Sequence, residues 1–82
     1  MLLIVYTFSM NKLERIGFNI RYYRRKAGLA QVDLAVQVGI DRAYLSSIEN
    51  GHRNPTILIL FAIADALQVD ICALLTSSDD AR

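Results

Sequence analysis

Apolar and polar positions alternate most informatively between Gln31 and Gly51, QVDLAVQVGIDRAYLSSIENG. Leu34, Ala35 and Val38 stand at i, i+1 and i+4, which is one apolar face of a short helix. Gly39 follows that run, and glycine there stops a helix because it takes a positive φ without strain. Ile40 is apolar again, and Asp41 is placed to cap a second helix, with Leu45 and Ile48 on its inner face. The pattern predicts two short helices joined by a tight turn centred on Gly39. The small side chain of Ala35 leaves room for them to cross closely, the logic of a helix-turn-helix. Outward positions of the second helix carry Arg42, Ala43, Ser46, Ser47 and Asn50, residue types that suit base edges and the DNA backbone.

The flanking pattern completes an all-α reading. Leu13, Ile16, Ile20, Tyr23 and Ala27 keep a 3-4-3-4 spacing, predicting a first helix over Asn11–Ala27 that Gly28 ends. Arg21, Arg25 and Lys26 fall off that stripe, as a solvated face near the DNA phosphates. Helix three is expected over Arg42–Asn50, stopped by Gly51, and Thr56 is placed to cap the next. From Ile57 to Ala64 run eight apolar residues in succession. Leu60, Ile63, Ala64 and Leu67 suffice for a core face, which leaves Leu58, Ile59 and Phe61 off it, and a helix apolar all round is buried all round. Asp70 caps a short fifth helix through Leu75. Residues 77–82 read as a polar tail, so the expected division is an extension over 1–10, a DNA-binding domain over 11–76 and that tail.

Met1–Met10 is an apolar, β-branched and aromatic run. It is too short for a membrane span, which needs about 20 residues. With no basic stretch before it and no small-residue cleavage site after it, it does not fit a signal peptide. Two readings stay open: residues 1–9 are an upstream extension before a natural start at Met10, or Leu2–Phe8 is a strand that pairs with its two-fold mate.

Composition narrows the function class. Eighty-two residues with 54% apolar content make one small domain with more apolar surface than a single core of that size requires. A single cysteine, Cys72, excludes an internal disulfide and fits a reducing cytoplasm, as a small apolar residue of the last helix. The lone His52 supports neither a metal cluster nor a hydrolytic constellation, so an enzyme is not expected, nor any cofactor or metal. The net charge of +1 hides a polarity: residues 1–53 hold eight Lys or Arg against four Asp or Glu, a balance of +4, whereas residues 54–82 hold one against four, a balance of −3. Positive charge therefore collects where the helix-turn-helix lies and would orient it toward phosphates.

Several pieces in fixed order and spacing resemble the Cro/C1-type (XRE) helix-turn-helix regulators of bacteria and phages. They are I-G-x-x-I-R-x-x-R from Ile16, G-L-x-Q-x-x-L-A-x-x-x-G-I from Gly28 to Ile40, Y-L-S-x-I-E-x-G-x-R-x-P-T from Tyr44 to Thr56, then I-A-x-A-L-x-V and L-L, covering Ile16 to Leu75. The run D-R-A-Y-L-S-S-I-E from Asp41 is also similar to controller proteins of restriction–modification systems. The resemblance implies a compact five-helix, lambda-repressor-like domain that binds double-stranded operator DNA in the major groove as a homodimer, with half-sites about 34 Å apart. It implies a cytoplasmic protein of bacterial or phage type, nucleoid-associated when bound. The family usually has Ser or Thr where this chain has Ala30, which removes a helix cap worth about 1 kcal/mol.

Carried onto this chain, the family's base-contacting positions fall on Arg42, Ala43 and Ser47, with Ser46 adjacent. A guanidinium fork at Arg42 matches guanine O6 and N7, and the Ala43 methyl can meet a thymine methyl. Gln31, Tyr44, Asn50, His52 and Arg53 are expected at phosphates, although Tyr44 can instead pack its ring on the preceding helix. Arg24 falls where the family places an arginine bonded to the glutamate matched by Glu49, a structural ion pair. Leu58, Ile59 and Phe61 form the expected dimer interface. Two other readings remain: an antitoxin-type module whose apolar patch covers a protein partner, and a degenerate helix-turn-helix that binds no DNA.

Overall fold

The computed structural model describes residues 10–77, which form five α-helices and no strand. These are α1 (Lys12–Lys26), α2 (Gln31–Val38), α3 (Arg42–Glu49), α4 (Ile57–Leu67) and α5 (Ile71–Leu75). The strand considered for Leu2–Phe8 lies outside the described residues.

Local chemistry sets most of the boundaries. At α1, the Asn11 side chain accepts from the Glu14 N–H at 2.8 Å, and the Glu14 carboxylate accepts from the Asn11 N–H at 3.1 Å, a complete capping box. Arg24, Arg25 and Lys26 fill the last turn, where cations complement the helix dipole. The helix stops one residue before the expected Ala27, which is the exposed C-cap and not part of the buried stripe. Past it the Leu29 N–H bonds the Arg24 carbonyl at 3.1 Å, and Leu29 packs against the core in place of Ala27.

Ala30 gives α2 no side-chain cap, but the Asp33 carboxylate accepts from the Ala30 N–H at 3.0 Å, so half of the reciprocal arrangement survives. Gly39 closes α2 at φ 83°, a left-handed conformation that a Cβ would strain. Asp41 occupies the N-cap of α3, yet its carboxylate makes no capping bond, contrary to its expected role. Its backbone carbonyl alone opens the helix, through the Leu45 N–H at 3.0 Å. Thr56 caps α4 through the Ile59 N–H at 3.2 Å, and Asp70 caps α5 through the Cys72 N–H at 2.8 Å.

Ile20, Leu34, Ala35, Leu45, Ile48, Leu60, Ile63, Ala64, Leu67 and Leu74 form one buried cluster drawn from all five helices. Each large aliphatic side chain fully removed from water contributes about 1.5–3 kcal/mol. Helix α1 lies across α3 and α5, while α2 rests on α3 and α4. One polar side chain joins this interior: Asn19 is buried, and its Nδ2 donates to the carbonyls of Leu74 at 2.9 Å and Thr76 at 2.7 Å. That tie holds the C-terminal end of α5 on α1.

Candidate nucleic-acid interface

Helix α3 carries two faces whose separation follows from its spacing. Leu45, Ile48 and Glu49 turn inward and are buried, whereas Arg42 and Ala43, one turn earlier, are exposed. Ser46 and Ser47 lie half-buried at the margins of the exposed face, and Asn50, His52 and Arg53 follow at its C-terminal end, all exposed. Gln31, half-buried at the first position of α2, stands beside Arg42. The structure thus joins Gln31 to Arg42, and the helical spacing sets Arg42, Ala43, Ser46, Ser47 and Asn50 along one face of α3, whereas Tyr44 turns partly to the core.

Beneath this surface sits a buried ion pair. Arg24 Nε donates to Glu49 Oε2 at 2.7 Å and Nη2 donates to Oε1 at 3.0 Å, a two-pronged match of guanidinium to carboxylate. Arg24 is 7% exposed and Glu49 3%, and the third guanidinium nitrogen donates to the Leu29 carbonyl at 2.8 Å. Burial pushes the Glu49 carboxyl up, but hydrogen bonds from Arg24 and Gln31 and the charges of Arg24 and Arg21 outweigh it, so it is held below the ordinary carboxylate value. The same contact raises Arg24 above its ordinary value. Both groups stay charged in the interior because each satisfies the other.

From that pair a chain of bonds runs outward. Gln31 Nε2 donates to Glu49 Oε1 at 3.0 Å, which turns the amide oxygen of Gln31 toward solvent, where it accepts from Arg42 Nη1 at 3.3 Å. Arg42 is thus tethered, through one amide, to a carboxylate that cannot move. Arg21 makes a parallel link on the other flank, 3.5 Å from Glu49 Oε1 and donating to Asn50 Oδ1 at 2.8 Å. At Tyr44 the Arg53 guanidinium lies 5.6 Å from the ring centroid, a cation–π contact that steadies the loop after α3 against the helix. The Tyr44 ring also packs against the edge of the core.

The apolar residues expected at a dimer interface do not share one environment. Leu58 is 75% exposed and Phe61 47%, with Ile57 beside them at 54%, but Ile59 is half-buried against the core. Cys72 is exposed, and the Asp70 carboxylate pushes its thiol up, away from the reactive thiolate. Among the described residues no group of His, Cys, Asp and Glu could hold a metal ion, and no helix is long and apolar enough to cross a membrane.

Sequence patterns had not singled out Asn19, Arg21 as a partner of Asn50, or Gln31 as a partner of Glu49. Asn19 lacks a sequence signal because an asparagine next to an apolar stripe usually faces water. The Gln31 contact joins residues 18 apart in sequence, and no local pattern marks it.

Comparison with known proteins agrees with this fold. Residues 20–74 match the family model HTH_3, helix-turn-helix. The uncharacterized HTH-type transcriptional regulator y4dJ of Sinorhizobium fredii is 38% identical over 87% of this chain and 92% of its own length. Some curated relatives are longer, and the chain spans 40% of one and 60% of another. Among solved structures, the restriction–modification controller protein C.AhdI from Aeromonas hydrophila is 32% identical with a TM-score of 0.76, covering 79% of this chain and 98% of that one. SinR, a master regulator for biofilm formation solved in complex with DNA, is 37% identical with a TM-score of 0.71, covering 74% of this chain and 98% of that one. By motif, fold and extended sequence identity, this chain belongs to the helix-turn-helix (HTH_3) family of transcriptional regulators.

Proposed function

We propose that the chain is a sequence-specific double-stranded DNA-binding regulator that acts in the cytoplasm as a homodimer on a palindromic operator, with residues 11–76 as its DNA-binding domain. The observation that carries this reading is the tether from buried Glu49 through Gln31 to exposed Arg42. A long cationic side chain usually loses conformational freedom on binding, and a held one loses less. In this reading α3 enters the major groove, Arg42 reads a guanine, Ala43 meets a thymine methyl, and Ser46 and Ser47 contact bases at the margins. Gln31, Tyr44, Asn50, His52 and Arg53 hold phosphates on either side, helped by the free amides at the N-terminus of α2. The +4 balance of residues 1–53 supports the same orientation.

The dimer forms through α4, where Leu58 and Phe61 offer an apolar patch that a two-fold axis lets cover itself. Ile59 contributes at its edge, since it is partly engaged with its own core. Selection of bound sites from a random DNA pool tests the reading: a two-fold symmetric consensus is expected, and recovery of no preferred sequence contradicts it. Leu58→Asp separates the dimer claim from the fold, because it should give helical monomers with weakened DNA binding. A parent chain that sediments as a monomer at tens of micromolar without DNA contradicts the dimer.

Within this class, the run from Asp41 to Glu49 and the likeness to C.AhdI favour a restriction–modification controller as the second reading. An endonuclease or methyltransferase gene beside this one would support it.

A further inference from the structure

The outer face of α1 carries an aromatic and basic surface to which no specific DNA contact is assigned, although its cations were expected to feel the phosphates. Phe18 and Tyr22, one helical turn apart, are 44% and 51% exposed, and Arg25 and Lys26 are exposed beside them. Between Glu14 and Asp33 the sequence has no Asp or Glu, so this face has no acidic neighbour of its own along the helix. Among the described residues, Glu14 is engaged in the α1 capping box and Glu49 with Arg24 and Gln31. Arg21 borders the patch but faces Glu49 and Asn50.

We propose that this face of α1 is a docking surface for an acidic amphipathic protein segment, whose apolar side chains rest on Phe18 and Tyr22 while its carboxylates meet Arg25 and Lys26. Charge complementarity names the partner: with two exposed cations beside the rings and no carboxylate on this stretch of the helix, the surface attracts an acidic segment over a neutral or basic one. The chain's own residues 1–9 contain no Asp or Glu and fit the patch poorly for that reason. A single-stranded nucleic acid would supply negative charge but needs an open aromatic face on which to stack. At Tyr22 the Lys26 ammonium stands over the ring, 5.7 Å from its centroid, and Tyr23 meets the ring at 5.0 Å with an interplanar angle of 84°. With a cation already over its ring and Tyr23 against it, Tyr22 is a poorer stacking platform for a base than a support for a protein side chain. Docking here takes nothing from Arg42 or Ala43, so a partner could be recruited to the regulator on its DNA.

The test uses the full chain and a synthetic helical peptide with leucines along one face and glutamates along the other, followed by fluorescence anisotropy. Its counterpart with lysine for each glutamate is the charge control. The acidic peptide should bind and the basic one should not. Phe18→Ala with Tyr22→Ala should weaken binding about tenfold or more, as loss of an interface anchor does. Arg25→Glu with Lys26→Glu should weaken it as much, while helical content stays unchanged, and Arg53→Glu on the DNA-facing side should leave it intact. Loss with Arg53→Glu and none with the α1 variants would put the peptide on the DNA surface and overturn the proposal. So would binding that emerges only after residues 1–9 are removed, or a Tyr22-dependent affinity for oligothymidylate with none for the acidic peptide.

Discussion

Gly17 lies directly against the main-chain carbonyl of Glu49, so closely that a Cβ built on it would come within 2.7 Å of the Glu49 carbonyl carbon and collide with the carbonyl oxygens of Ile48 and Glu49. That contact sets how near α1 can come to α3, and so where the Arg24 guanidinium meets the carboxylate it serves.

Gly17→Ala should therefore destabilise the domain although alanine is the better helix former. The helix gains about 1 kcal/mol from the exchange. Forcing a methyl into closed backbone packing costs about 1–3 kcal/mol and occasionally more. Backbone cannot move aside as a flexible side chain does, so the cost falls at the upper end of that range and the expected net loss is about 2 kcal/mol. A thermal melt checks it, and a midpoint equal to or above the parent's would show that α1 and α3 have more freedom than their contact suggests.

Glu49→Gln should cost about 3–5 kcal/mol, because it leaves the Arg24 charge buried without its counter-charge. The depressed carboxyl also sets a pH dependence. Its contribution is fully present above the ordinary carboxylate pKa of about 4.3 and is lost as pH falls through the lower folded value. Stability measured by denaturant titration across the acid range should thus fall more steeply for the parent than for Glu49→Gln. Parallel curves would mean that the pair contributes no linkage.

Asn19→Ala removes both donors that secure the carbonyls of Leu74 and Thr76. A buried acceptor left without a partner costs about 1–3 kcal/mol. Hydrogen exchange should locate the loss: amides of α5 should lose protection ahead of those in α2 and α3. A uniform loss across all helices would assign Asn19 to the core as a whole.

Gln31→Ala should barely change the melt, at about 1 kcal/mol for one lost hydrogen bond, because Arg24 still satisfies Glu49. Its effect belongs in DNA binding, where Arg42 loses its tether. Unchanged affinity for a selected site, with the melt also unchanged, would show that the tether contributes nothing.

The legibility of this fold in its sequence was uneven for physical reasons. Leu34, Ala35, Leu45 and Ile48 were readable because a helical period with a glycine at its break leaves little other arrangement, and all four are buried. Thr56 and Asp70 were readable as caps because their side chains act over two or three residues. Asp41 was not, since the same residue type can hold the capping position with its carboxylate turned away. Ala27 was placed one residue too far inside the helix, because periodicity does not see where the backbone turns out of it. Ile59 could be read as surplus only from its neighbours in a run of eight apolar residues, whereas packing brings it partly inward. Asn19 and Gly17 act through partners distant in sequence, Leu74 and Glu49, and such contacts leave no local pattern. The link from Glu49 through Gln31 to Arg42 depends on side-chain rotamers in three helical positions, which spacing alone does not specify.

The claim that Arg42 reads sequence is tested most directly by equilibrium binding of the parent and Arg42→Ala to a selected site and to versions of that site with each base pair changed in turn. A base reader predicts a loss of about 1–3 kcal/mol at the selected site, with preference relaxed at one base pair per half-site and kept elsewhere. Equal weakening at every sequence, with the profile of preferences unchanged, would make Arg42 a phosphate contact and contradict the account.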